Sequence, residues 1–355
     1  MTAERRWSRT NRLIIEAAQR LGVEALPLTE TETDFFLNLR DAERSVIISK
    51  TRSPFLTQLA QTLSNNKRVC RELLGAKGLP VLPDMFVDGE HSLDEAGAEA
   101  LLAEHGAVTV KPNWGNRAAG LTVRVEDGEA LRRAVVRALA EDRDEEALIQ
   151  PYLPGTNLRV AVVGGRVEAV AEIRRPWLRG DGQQSPRELL AVHNQDARRA
   201  SWQPQELLCL DQIPLDEGLG EHLEVYGLRV DDPLPAGFEL EIISEEIEVI
   251  DRTEEVAPGW RTIAREACEL LGVDVGGVDL RGPLEAFLEP PSAGPEAWRR
   301  GAILEINVLP ALHLHALPTQ GRARPVFEAF VAYCMSLPGA PAPVGPVDAA
   351  RLLPG

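Results

Sequence analysis

Residues 158–173, LRVAVVGGRVEAVAEI, constrain the fold more than any other stretch. Two alternating, largely apolar runs flank Gly164-Gly165, and a two-residue loop of this kind needs positive φ, which glycine reaches without steric cost. The runs read as antiparallel neighbours in one sheet. A second run, ILEINVLP at residues 303–310, reads as a buried strand interrupted by Glu305 and Asn307. Side chains alternate faces along a strand, so Leu304, Ile306 and Val308 should point one way while Glu305 and Asn307 project together the other way. A carboxylate in a mostly apolar strand is costly unless a cation or hydrogen-bond donors compensate it. This two-oxygen ledge therefore implies a partner.

The chain has 355 residues, enough for two or three domains, and its 44% hydrophobic content is ordinary for a globular protein. Lys and Arg total 38 against 55 Asp and Glu, a formal charge of −17 that argues against a general binder of nucleic acid or acidic membrane. Cys70, Cys209, Cys268 and Cys334 are scattered without paired spacing, which fits neither a zinc site nor a disulfide framework and favours a reducing cytoplasm. The N-terminal residues lack the apolar core of a signal peptide, and no apolar run reaches the roughly 18 residues needed to span a bilayer. These features predict a soluble, cytoplasmic protein.

Helical spacing runs over 11–21, and SVIIS at 45–49 reads as a strand. The segment SNNKRVCRELLGAKGLPVLP offers Ser or Asn caps, a helix over about 66–75 and a Gly-Leu-Pro exit. A domain boundary is expected near residue 66. A strand over 107–112, a Gly-containing loop over 113–120, a strand LTVRV and a helix over about 128–140 follow. The hairpin, a polar region, a helix over 260–271, VGGVDLRG and the ledge strand complete the pattern, before a Pro- and Gly-rich tail over 337–355.

Lys111 closes a strand and is followed by a flexible loop carrying Gly115 and Gly120, an arrangement that suits a phosphate cradle because small residues let backbone N–H groups approach oxygens. A hairpin loop with a solvated lysine is the bland alternative. The set decides between them: Lys67 at a helix start, Lys111 with its loop, IQPYLPG, Asp279 in a short strand, and Glu305 with Asn307.

In order and spacing this set resembles the ATP-grasp superfamily, with wording similar to the ATP-grasp parts of cyanophycin synthetases and of fused glutathione-synthesising enzymes. NNKRVCRELLGAKGLPVLP is similar to that family's entry helix, LRVAVVGGRVEAVAEIRRP to its nucleotide-side hairpin, GDGQQSPRELLAVHN to the segment after it, and LEINVLPALHLHALPTQGRARPV to its metal-ligand strand and the loop beyond. The resemblance covers about residues 9 to 335. It implies an α+β chain with the ATP-grasp fold, two α+β subdomains clasping ATP after a small N-terminal α/β domain. The expected segments are 1–66 for that domain, 67–148 for the central subdomain, 149–336 for the C-terminal subdomain with the metal site, and 337–355 for the tail.

Carried over by position, Lys67 and Lys111 would bind ATP phosphates under a closing loop that includes Asn113, Gly115, Asn116 and Gly120. Gln150, Pro151, Tyr152 and Leu153 would form the hinge that meets adenine, and Asn157 stands where relatives carry an acid that contacts ribose. Asp279, Glu305 and Asn307 supply hard oxygen ligands suited to Mg²⁺, usually two ions, with Mn²⁺ as a substitute. Arg159, Arg174 and Arg175 resemble phosphate- or carboxylate-binding positions, with solvated surface arginines as the alternative. His313 and His315, on one strand-like face, would line a substrate pocket or be structural.

The implied reaction is ATP-dependent ligation of a small carboxylate to an amine through an acyl phosphate, with ADP and phosphate released and no side-chain nucleophile required. His193, Asp196 and Ser185 lie too close to turns to need a triad reading. The relatives continue into or begin with further catalytic domains for which this chain has no room, so a stand-alone ligase is expected, and a homo-oligomer is compatible with it. Where relatives carry an Arg-Asn-rich stretch near the acyl phosphate, this sequence reads FELEIISEEIEVIDRTEEV. Glu246 and Glu248 would share one face of a strand there and favour a basic or neutral acceptor, unless the stretch is a solvated acidic hairpin. Arg174, Arg175 or Arg281 would then replace the missing arginine. A non-catalytic nucleotide-binding homologue with a regulatory or scaffolding role and a small-molecule phosphotransferase are the competing readings.

Overall fold

The structure is a computed structural model that describes residues 7–28, 35–90, 93–115, 118–200 and 210–336. Asn116, Cys209 and the 337–355 tail lie outside the described residues. Ser8 accepts a hydrogen bond from the Asn11 amide and starts α1 (Arg9–Arg20), whose Leu13, Ile14, Ala17 and Ala18 recur at helical spacing and are buried. Strands β1 (Glu24–Pro27), β2 (Phe36–Arg40) and β3 (Ser45–Ser49) form an antiparallel sheet in that order. Helices α2 (Gln58–Asn65) and α3 (Lys67–Ala76) meet at Asn66, which ends the first and caps the second by accepting from the Val69 amide at 2.9 Å.

A four-stranded antiparallel sheet follows, built from β4 (Met85–Asp88), β5 (Val108–Pro112), β6 (Thr122–Val125) and β7 (Glu146–Pro151) in the order β4-β7-β5-β6. Helices α4 (Glu95–His105) and α5 (Gly128–Glu141) belong to the same lobe; α5 lays Leu131, Ala134, Val135 and Ala138 against Val108, Val110 and Ile149.

In the C-terminal lobe, β8 (Thr156–Val163) and β9 (Arg166–Arg174) are joined by Gly164 at φ 57° and Gly165 at φ 74°, the hairpin expected from the sequence. A cap then leaves the sheet: β10 (Trp177–Arg179), α6 (Pro186–His193), β11 (Arg199–Ala200), β12 (Leu210–Asp211), α7 (Glu217–Val225) and β13 (Glu239–Glu241). It has its own core of Leu178, Leu190, Ile213, Leu223, Leu234 and Leu240. The chain returns through β14 (Glu248–Asp251), α8 (Pro258–Leu271), β15 (Val275–Gly282), α9 (Leu284–Leu288), β16 (Ala302–Asn307), α10 (His313–Ala316) and α11 (Val326–Ser336). The resulting five-stranded sheet, order β14-β9-β8-β15-β16, is antiparallel throughout.

Both faces of this sheet are covered. On one side Trp260 of α8, 1% exposed, meets Phe287 edge to face at 4.9 Å over Val160, Val278 and Ile306; truncating such a buried tryptophan to alanine costs about 3–5 kcal/mol. Ala60, Cys70 and Leu74 of α2 and α3 join this core, so the helix that begins at Lys67 packs on the large sheet rather than on the four-stranded one. On the other side, Leu37, Leu39, Val46 and Ile48 of the first sheet share one cluster with Ala161, Ala169, Val275 and Phe330. Among the described residues, the N-terminal segment shares this core with the C-terminal lobe.

Two sequence expectations are corrected here. The β15–β16 register shifts after the Asp279–Glu305 pair. This irregularity breaks alternation: Ile303, Ile306 and Val308 lie in the Trp260 core, whereas Leu304, expected beside Ile306, packs with Leu82, Leu153, Trp298 and Ala302 on the opposite side. His313 and His315 lie on a short helix and not on a strand, so their two-residue spacing turns them about 200° apart.

Candidate nucleotide and metal site

Strand register assembles the ledge. Arg159 on β8 pairs with Asp279 on β15, which pairs with Glu305 on β16, so the three stand side by side across neighbouring strands. Asn307 lies opposite Gly277 on the same two strands. Arg159 donates two hydrogen bonds to the Asp279 carboxylate, through Nε to Oδ1 and through Nη2 to Oδ2 at 2.9 Å. The Asn307 amide donates to Asp279 Oδ2 at 3.1 Å and to Glu305 Oε1 at 3.2 Å. Burial first, and then the charge of Glu305, push the Asp279 carboxyl up to about 6 against the pull of Arg159. Glu305 is held below the usual carboxylate range despite its burial, chiefly by Lys67 and Lys111.

The lysines come from the two lobes. Lys67 opens α3, and its ammonium donates to the carbonyls of Gly115 at 3.0 Å and Asn113 at 3.4 Å, tying the helix to the loop after β5. Lys111 is the penultimate residue of β5, and its side chain has no hydrogen bond or ion pair among the described residues. Burial and the nearby Lys67 charge lower it to about 8, with Glu305 and Asp84 acting in the opposite direction. Two mutually repelling ammonium groups facing a carboxylate are suited to an anion of more than one charge.

The loop itself is anchored by residues the sequence did not single out. Asp142 accepts from the Trp114 amide at 2.6 Å, and Glu146 accepts from the Asn113 side chain at 2.6 Å, while Asn113 Oδ1 receives the Arg68 amide at 2.8 Å. No local signal marks these acids, because they lie about thirty residues from the loop and reach it only through the β5–β7 pairing. Gly120 has φ 66°, and a Cβ there would stand 2.6 Å from Pro112 and 2.8 Å from Glu141, so the end of the loop requires glycine.

The hinge is organised around Arg281, expected beside the acyl phosphate. Its guanidinium instead donates to the Leu153 carbonyl at 2.6 Å, Asn157 Oδ1 at 2.8 Å, the Tyr152 hydroxyl at 3.0 Å and Glu241 at 3.2 Å. These contacts spend its donors inside the protein and fix the chain after β7. Glu241, 4% exposed, is one member of the acidic stretch that is buried rather than solvated. Others are also paired: Glu246 with Arg175 at 3.4 Å, Asp251 with Arg324, and Glu248 with Arg198, Thr319 and Gln320. Because β14 begins at Glu248, Glu246 precedes the strand and the two carboxylates have separate partners. Arg174 is half exposed and bonded to Glu172. Gln150 is buried at the end of β7 beside Pro151.

His313 and His315 are driven well below the ordinary imidazole range, to about 3, by burial first, with the Arg159 charge adding to both. They are therefore neutral neighbours of the ledge. Glu246 acts on Arg159 from the cap side.

The donor set fits a hard divalent cation. Two adjacent carboxylates and a carboxamide offer oxygen ligands, and the Asn307 amide reaches both carboxylates. Among the described residues, no group of three or more His, Cys, Asp or Glu side chains could hold a metal ion. No described helix is long and apolar enough to cross a membrane.

No family model matches the chain. It is similar to the cyanophycin synthetase of Crocosphaera subtropica, 26% identical over 288 residues that make up 79% of this chain and 31% of that protein. It is also similar to the glutathione biosynthesis bifunctional protein GshAB of Enterococcus faecalis, 27% identical over 321 residues, 89% of this chain and 41% of the relative. The chain thus spans well under half the length of these curated relatives. Among solved structures, a bifunctional glutathione synthetase from Pasteurella multocida matches 92% of this chain and 44% of its own at a TM-score of 0.57 and 24% identity. The chain shares its fold with the bifunctional glutathione synthetase and is similar, over most of its own length, to one part of cyanophycin synthetases and bifunctional glutathione-synthesising proteins, in agreement with the ATP-grasp resemblance of its sequence.

Proposed function

We propose that this chain is an ATP-dependent carboxylate–amine ligase that joins small amino-acid-type substrates through an acyl phosphate and releases ADP and phosphate. The observation that carries the reading is the convergence of Lys111 from the four-stranded sheet and Lys67 from α3 on the Asp279–Glu305 ledge of the five-stranded sheet, each lysine feeling the Glu305 charge.

Lys67 and Lys111 bind phosphate oxygens, the 113–120 loop covers them, and residues 150–153 with Asn157 receive the nucleoside. Asp279, Glu305 and Asn307 would hold Mg²⁺, as one or two ions or replaced by Mn²⁺, which supplies charge neutralisation at the transferred phosphoryl group. The substrate carboxylate oxygen attacks the γ-phosphorus as the bond to ADP breaks. The amine then adds to the acyl carbon, loses a proton and expels phosphate, leaving the amide. A carboxylate is a poor electrophile and an acyl phosphate a good one, so the chain's residues contribute positioning and charge rather than a nucleophile. Arg159, Arg174 and Arg175 are the arginines proposed to face the developing charge. His313, His315, Glu246 and Glu248 are proposed to flank the acceptor, with a basic or neutral amine favoured over an acidic one.

A coupled ADP-release screen over amino acids and dipeptides tests the reading. ADP release that requires both a carboxylate and an amine supports it. Mg-ATP binding without turnover selects a non-catalytic homologue, and a stable phosphorylated product formed without an amine selects a phosphotransferase.

A further inference from the structure

Arg159 holds Asp279 with two hydrogen bonds, and three features show that this pairing is built in. The strand register places the two residues directly opposite each other. Gly277, two positions before Asp279, leaves the room in which the arginine stem lies: a Cβ there would stand 2.9 Å from Arg159 Cδ and 3.1 Å from Pro310. The side chains of the pair are only 13% and 18% exposed, so neither charge is satisfied by bulk water. The Asn307 amide turns its N–H₂ group, not its oxygen, toward both ledge carboxylates. The Asp279 carboxylate is thus already paired with a cation from within the protein, while Glu305 stands beside it as a second carboxylate.

We propose that Arg159 is the resident counter-ion of the ledge, a positioning residue that keeps Asp279 oriented in the cation-free protein and competes with the divalent cation for its oxygens. Loading then requires the guanidinium to withdraw from at least one Asp279 oxygen and the Asn307 amide to turn its oxygen inward. The displaced guanidinium becomes available to an anion only after the cation is in place, which orders the assembly of the site. This inference rests on the ledge being the cation site of the proposed ligase.

The test uses Mn²⁺ alone, titrated into the nucleotide-free full chain and followed by loss of the free-ion electron paramagnetic resonance signal. Arg159→Met keeps the stem over Gly277 and removes the charge. It is expected to bind Mn²⁺ about tenfold more tightly than wild type, the equivalent of about 1.4 kcal/mol. Its melting temperature without metal is expected to fall, and Mn²⁺ is expected to raise it by more than in wild type. Arg159→Lys, which keeps the charge but not the two-point grip, should fall between the two and serves if the methionine variant does not fold. Equal or weaker Mn²⁺ binding by the variants, with wild type binding normally and Glu305→Gln abolishing it, overturns the counter-ion role and leaves the ledge intact. Mn²⁺ binding that Glu305→Gln does not reduce overturns both the ledge assignment and this inference.

Discussion

Replacing Lys111 with methionine separates nucleotide binding from folding more cleanly than any other change in the site. The ammonium has no protein partner among the described residues, is lowered to about 8 by burial and by Lys67, and faces Glu305 across the lobes. If it grips a phosphate oxygen, its loss removes a charge-assisted hydrogen bond worth about 1.5–3 kcal/mol. ATP should then bind roughly 10- to 150-fold more weakly by calorimetry. Stability should move the other way. A lysine whose pKa is depressed in the native state binds fewer protons there than in the unfolded chain, so native stability rises with pH from about 8 toward the ordinary lysine range and is reduced below it. Methionine abolishes that cost, and the nucleotide-free variant should be more stable at pH 7, by on the order of 1–2 kcal/mol after allowance for the partial solvent exposure of the ammonium. Wild-type ATP affinity should also fall as pH rises above about 8, and the variant, which keeps Lys67, should lose less over the same range. Unchanged ATP affinity together with lowered stability would refute the assignment, because Lys111 would then be a structural cation.

Glu305→Gln should abolish turnover at ordinary Mg²⁺ and recover part of it at high Mg²⁺ or with Mn²⁺; identical metal titrations for variant and wild type would mark the ledge as a hydrogen-bonded pair only. Gly155 has φ 126°, and a Cβ there would lie 2.3 Å from the Gly282 carbonyl oxygen, so Gly155→Ala should cost about 3 kcal/mol or more in denaturant unfolding by forcing the hinge off β15. In acceptor competition at low and high salt, basic or neutral amines should outcompete acidic ones, and Glu246→Gln should weaken that preference more than Glu248→Gln, whose carboxylate is held by Arg198, Thr319 and Gln320. Acidic acceptors winning in wild type would remove the cap carboxylates from selection.

Local chemistry was sufficient for the elements. Gly164-Gly165 between two alternating runs determined the β8–β9 hairpin because only those two positions had to take positive φ, and Asn66 marked the start of α3 because its side chain can accept from an amide two or three residues on. The alternation of 303–308 correctly brought Glu305 and Asn307 to one face, yet misplaced Leu304, since a bulge depends on how the partner strand pairs and not on the strand's own residues. The same dependence hid the partners of the site. Arg159 and Asp279 are 120 residues apart, and Arg281 and Glu241 are 40 apart, so their pairing exists only once the sheet register and the cap are set. The acidic stretch reads as solvated charge in one dimension; in three, arginines from four separate segments pair with Glu241, Glu246, Glu248 and Asp251, because burial makes an unpaired carboxylate costly. The sequence by itself therefore brought forward the residues proposed to bind phosphate and cation, and the tertiary structure alone decided which of them are already engaged with protein partners.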